Sequence, residues 1–206
     1  MSFAISILII LIWIGIFHLK QNRVSLTEEQ RTREFWNRER KANEVRRQDI
    51  SNLPYIQVPV DSLPLSLSDN AQIQEFQTVI EQLSDKKILN LTGISNTELK
   101  LQYGPSNLET LTEYDSNFTT LVRTISNWGQ CLYELGQITE ARTVLEYGIS
   151  CKTDIKNNYI LLAKIYKDSH ETSKITDLIA TAESLNTLMK SSIISSLQAL
   201  QNSNSD

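Results

Sequence analysis

No charged residue occurs from Met1 to Leu19, and from Phe3 the chain reads FAISILIILIWIGIFHL. This run limits the possible folds more than any other feature. As a helix rising about 1.5 Å per residue, the uncharged stretch would measure roughly 28 Å, against a hydrocarbon core of about 30 Å. A helix bonds its backbone polar groups internally, which lipid requires, and a terminal run with no polar face is poorly suited to the surface of a soluble body. Residues 1–20 are therefore expected to form an uncleaved transmembrane anchor. A cleaved signal peptide fits less well. It needs a basic leading region and a small-residue cleavage site, yet only Met1 and Ser2 precede the run, and Phe17, His18, Leu19 and Lys20 follow its core.

Charge sets the expected orientation. Nine Lys and Arg lie between Lys20 and Arg47, and none precedes the run. The positive-inside bias then puts the short N-terminus outside and the long C-terminal part in the cytoplasm. The net charge of −4 conceals a segregated chain: Lys20–Asp49 carries +3 and the remainder carries −7. An acidic body argues against nucleic acid as a partner. Cys131 and Cys151 are too few for a disulfide scaffold or a Cys₄ zinc site, and free thiols suit a reducing compartment. Glycosylation triplets at Asn90 and Asn117 would matter only in a lumenal domain.

After the run, residues 26–49 contain no Gly or Pro. Thr27 with Gln30 can form a capping box, and opposite charges recur at i,i+4, as in Glu34 with Arg38. Phe35, Trp36, Ala42 and Val45 are too sparse for a coiled-coil seam. A charged helical stalk over 21–50 follows, either solvated along its length or with a basic face on anionic lipid. Pro54, Pro59 and Pro64 then exclude a helix. Tyr55, Ile56, Val58, Val60, Leu63 and Leu65 are too apolar for a free linker, so 51–68 is expected to be an extended strap packed on a helical body. A docking strand for a partner is the alternative.

From residue 69 the apolar period is helical. Ser68 or Asp69 can cap a helix carrying Ile73, Phe76, Ile80 and Leu83. ILNLTGI (88–94) is an apolar turn region. Ser95 with Glu98 and Ser106 with Glu109 are further capping boxes, separated by the stop signal Gly104–Pro105. Apolar residues then recur from Leu108 to Leu135, as one long helix or as two broken near Asp115. Beyond Gly136 a spacing of 34 appears: Gly129 with Ala163, Leu132 with Tyr166, Leu145 with Ile179, and Gly148 with Ala182. That is a helix-pair repeat period.

The stretch WGQCLYELGQITEARTVLEYGI resembles the tetratricopeptide-repeat family. Gly129 stands at the small position where paired helices cross, Gly136 at the turn, Ala141 at the small contact of the second helix and Gly148 near its end. The next unit keeps Ala163, Tyr166 and Ala182, but has Ile175 for the usual Ala and His170 for the turn Gly. The similarity covers about residues 122–189, and the whole layout resembles small membrane-anchored repeat proteins of Gram-positive bacteria. The implied fold is all-α: the transmembrane helix, the charged stalk, the strap, an N-terminal helical cap (69–121), and an antiparallel helix-pair solenoid with a C-terminal capping helix (122–206). About three units are needed to bury a repeat core, so residues 69–121 are expected to act as the cap that completes it.

No His-x-x-x-His, Cys-x-x-Cys, Gly-x-Ser-x-Gly or P-loop pattern occurs. His18 and His170 are far apart in sequence, and neither cysteine has a nearby His. No enzyme, metal or cofactor is expected. By resemblance, the face made by first helices would bind a protein or peptide partner. It would present Arg123, Asn127, Gln130, Tyr133, Asn157, Leu161, Lys164 and Lys167, a polar set with a basic tilt suited to an acidic segment or a C-terminal carboxylate. Ser126 and Gln130 stand where the family's carboxylate clamp has its Lys and Asn. The expected role is a membrane-anchored cytoplasmic adaptor that recruits an unknown partner. The alternative is a structural subunit of a membrane complex, held through Phe3–Leu19.

Overall fold

The structure, a computed structural model, describes residues 27–65 and 69–202. The described residues are all-α, with eight helices and only an isolated bridge between Ile56 and Ile88. The run Phe3–Leu19 lies outside them. Among the described residues no helix is long and apolar enough to cross a membrane. The chain divides into two compact units: one contains residues 27–48 and 95–107, the other 49–94 and 108–202.

In the first unit α1 is helical over 27–43 and packs on α3 (Asn96–Tyr103). The capping box at α3 is formed as the sequence indicates, with Ser95 and Glu98 bonding each other's backbone N–H. Gly104 follows at φ +83, and an added Cβ would lie 2.8 Å from the Arg46 carbonyl oxygen, so only glycine lets the two segments approach this closely. Pro105–Asn107 forms a 3₁₀ turn. Its Asn107, fully buried, closes the unit: Nδ2 donates to the carbonyls of Gln48 (2.8 Å) and Tyr103 (2.7 Å), and Oδ1 accepts from Arg47 Nε (3.1 Å). The stalk is thus not solvated along its whole length. Ala42 is fully buried, Thr97 donates to Glu39 at 2.8 Å, and Lys100 pairs with Glu39 and donates to Asn43. Residues 95–107 group with this helix rather than with the rest of 69–121.

The second unit holds the main core. The strap lies on it as expected: Leu63 is buried, and Ile56, Val58 and Leu65 pack against the core. Its carbonyls are bonded by side chains, Gln77 donating to Pro64 at 2.9 Å and Tyr147 to Gln57 at 3.1 Å. Helix α2 (Ala71–Ser84) is capped by Asn70, one residue after the expected Asp69, and Asn70 Oδ1 accepts from the N–H groups of Gln72 and Ile73. Helix α4 (Leu108–Glu134) is continuous, because Asp115 faces outward from the helix ladder and its carboxylate accepts from Leu91 N–H at 3.0 Å. α2 runs antiparallel to α4: Gln72 meets Cys131 at one end, and Asn117 donates to the Lys87 carbonyl at the other.

Then follow α5 (Ile138–Ser150), α6 (Lys156–Asp168), α7 (Ser173–Glu183) and α8 (Lys190–Asn202). Each packs on its predecessor, and α8 packs on both α6 and α7. The 34-residue offset extends to the backbone. At the end of α4 the N–H groups of Leu135, Gly136 and Gln137 donate to Cys131, Tyr133 and Leu132. At the end of α6 those of Ser169, His170 and Glu171 donate to Ile165, Lys167 and Tyr166. Both are Schellman closures, with Gly136 at φ +74 and His170 at φ +58. His170 therefore takes the conformation that the turn glycine takes one period earlier.

Candidate interaction surface

The eight candidate residues fall on equivalent positions of α4 and α6: Arg123, Asn127, Gln130 and Tyr133 on the first, and Asn157, Leu161, Lys164 and Lys167 on the second. The opposite sides of both helices are fixed by the core. On α4 this comprises Leu121, Val122, Ile125, Trp128 and Leu132; on α6 it comprises Asn158, Tyr159, Leu162 and Ile165. The remaining positions point outward. Arg123, Asn127, Asn157 and Lys164 are exposed, and Gln130, Tyr133 and Lys167 are half-buried. Asn157 Nδ2 donates to Gln130 Oε1 at 3.2 Å, and Gln130 Nε2 donates to Glu134 at 2.6 Å, which ties the two rows together.

Leu161 is a correction to the candidate set. It is 4 % exposed and cannot face a partner. On α6 the buried sector takes in the position equivalent to exposed Asn127, and Leu161 joins the hydrophobic core there. The clamp position is closed as well: Ser126 is 4 % exposed and Gln130 already bonds two neighbours. What remains is an open polar patch whose free-standing charges are Arg123 and Lys164, with Lys167 beside them.

Two features on the second unit were not anticipated. The first is an ionic cluster joining α5 to the α6–α7 turn. Arg142 makes two bonds to Glu171 (2.5 and 3.2 Å) and one to Glu146 (2.9 Å), Lys174 pairs with Glu171 (2.6 Å), and Tyr166 donates to Glu146 (2.8 Å). Arg142 and Lys174 both lie about the Tyr166 ring at 5.2 Å. The Arg142 and Lys174 bonds hold the Glu171 carboxyl down to about 2, and burial pushes the Tyr166 hydroxyl up. The i,i+4 pair Arg142/Glu146 is visible in the sequence, but its link to Glu171 is tertiary. The second is a cavity of about 450 Å³ where three turns converge, lined by Pro54, Ile56, Asn90, Cys151, Leu185 and Thr187 among others. Asn90 Nδ2 donates there to the carbonyls of Cys151 and Lys152.

Both cysteines are buried and burial raises their thiols, which disfavours the thiolate a nucleophile needs. Among the described residues no three His, Cys, Asp or Glu side chains converge on a metal-sized site. No protein-family model, curated protein or solved structure matches this chain. The surface must therefore be judged on its own chemistry: exposed amides and cations at equivalent positions of α4 and α6.

Proposed function

We propose that this chain is a membrane-anchored, tetratricopeptide-like adaptor that binds an acidic protein segment on the α4/α6 surface, with Phe3–Leu19 as a single span and the helical body in the cytoplasm. The observation that carries the reading is the outward, 34-residue-spaced pair of rows, Arg123–Asn127–Gln130 and Asn157–Lys164–Lys167. It is supported by the repeated Schellman closures and by α8, which packs on the second pair as a further first helix would. Basic and amide groups on a rigid face steer and bond a carboxylate-rich chain. The role is recruitment rather than catalysis, with no cofactor.

The test is affinity capture of the full chain from membranes after Arg123→Ala, Asn127→Ala and Lys164→Ala combined. These positions are exposed, so folding should be kept, as checked by circular dichroism. Captured neighbours should fall at least about tenfold, as expected for loss of a few contacts near 1.4 kcal/mol in total. Unchanged recovery refutes the adaptor. A second reading, a structural subunit held through its span, is favoured by the apolar length of Phe3–Leu19. Exchanging that run for an unrelated apolar helix would abolish function in this case only.

A further inference from the structure

Phe35 and Trp36 sit edge to face on α1 with ring centroids 5.3 Å apart, and they are 53 % and 59 % exposed. Two adjacent large rings this open on a charge-rich helix need a cover. Among the described residues the first unit supplies none: α3 meets α1 at Arg38, Glu39 and Asn43, through Glu98, Thr97 and Lys100, beside buried Ala42. At about 100° per residue, the two rings define one sector of the helix. Arg31 and Arg38 flank it on the Phe35 side, and Arg33 and Arg40 flank it on the Trp36 side, all four exposed. Of the acids on or bordering the sector, Glu39 is paired with Lys100, and Glu98 of α3 is paired with Arg38. Glu28 and Glu29 lie about two turns away towards the N-terminus.

We propose that this sector of α1 docks on an anionic lipid surface, with the rings at headgroup level and the guanidinium groups of Arg31, Arg33 and Arg40 on lipid phosphates. The inference rests on the membrane-anchored reading above. Several observations favour lipid over a protein partner. The aromatic patch is bordered by exposed Arg31 on one side and by exposed Arg33 and Arg40 on the other, which is charge complementary to an anionic surface. Arginine is weakly hydrated and matches phosphate oxygens in pairs. Aromatic rings prefer the membrane–water boundary. Finally, only seven residues (20–26) separate the uncharged run Phe3–Leu19 from position 27. The N-terminal half of α1, before α3 covers the same face, would then meet the surface.

The test uses the full chain in vesicles of phosphatidylserine and phosphatidylcholine brominated near the headgroup end of its acyl chains. Subtracting the emission of Trp36→Phe from that of the unaltered chain isolates Trp36. The expected difference spectrum is blue-shifted and loses about half its intensity to bromine, as for a ring at the interface. The loss should shrink when Arg31, Arg33 and Arg40 become Gln, or when phosphatidylserine is omitted. Quenching of Trp13 without quenching of Trp36 overturns this inference and leaves the anchor standing. If neither is quenched, the anchor reading falls and takes the inference with it. Cross-linking of Trp36 to a second copy or another protein, with no quenching, also overturns it.

Discussion

Replacing Gly129 by Ala tests how closely α4 and α5 approach. A Cβ at this position would lie 2.6 Å from Leu145 Cδ2 and 2.7 Å from Leu145 Cγ. Leu145 is fully buried and has little room to swing away. Overpacking of this kind costs about 1–3 kcal/mol. In the opposite direction, Ala is worth about 1 kcal/mol more than Gly in a helix interior. The net expectation is a loss of up to about 2 kcal/mol. At roughly 2–4 °C per kcal/mol for a unit of this size, Tm falls by up to about 8 °C. Thermal unfolding by far-ultraviolet circular dichroism reads this directly. The decisive measurement adds Leu145→Ala. Alone it should cost about 2–5 kcal/mol through the cavity it leaves. In the Gly129→Ala background the added methyl occupies part of that cavity, so the two losses should sum to at least about 1 kcal/mol more than the double variant shows. A rise in Tm for Gly129→Ala, or strict additivity with Leu145→Ala, would refute the close crossing.

Two further outcomes follow from the bonding. Asn107→Ala removes the bonds to the Gln48 and Tyr103 carbonyls and to Arg47, and although Tyr103 keeps the Gln48 N–H, a carbonyl left buried without a partner costs about 1–3 kcal/mol. Trypsin should then cut after Arg46 or Arg47 faster than in the unaltered chain, while the second unit keeps its unfolding midpoint. For Glu171, the folded carboxyl is held near 2 against an ordinary 4.5. Its contribution is present above pH 4.5 and is lost as pH falls towards 2, because the unfolded chain takes up the proton first. The stability difference between the unaltered chain and Glu171→Gln should therefore be constant above about pH 5 and shrink below it. A difference unchanged at pH 3 would show that the Arg142 and Lys174 bonds do not hold in solution.

The sequence was most informative where the signal is local or periodic. The Ser95–Glu98 capping box spans four residues and needs no tertiary partner, so it could be read directly. The strap was legible because three prolines exclude a helix while its apolar residues demand burial. The packing of α1 on α3 was not legible. It has few buried apolar residues, chiefly Ala42 and Leu99, and otherwise depends on polar groups about sixty positions apart, such as Glu39 with Thr97 and Lys100. No spacing rule reports such a pairing. Leu161 failed as a surface residue for a related reason. Repeat equivalence with Asn127 placed it outside, but it belongs to the hydrophobic core of the unit. The side chain itself carried the signal, since a leucine among amides and lysines marks a covered position. His170 shows the opposite: an unexpected residue type took the expected backbone geometry, because a single left-handed residue is tolerated where the Schellman bonds fix the turn.

The first unit is assembled from segments that leave the ribosome at different times. Arg47 and its partner Asn107 are sixty positions apart. At about 5–20 residues per second, α1 waits about 3–12 s for the segment that completes it. During that interval it must persist in water with Ala42 uncovered and no tertiary support. The opposite charges spaced at i,i+4 along 27–43, such as Glu34 with Arg38, and the hydration of this charge-rich surface suit a helix without a partner. The charge pattern of the stalk is thus a requirement of biosynthetic order as well as of the finished molecule.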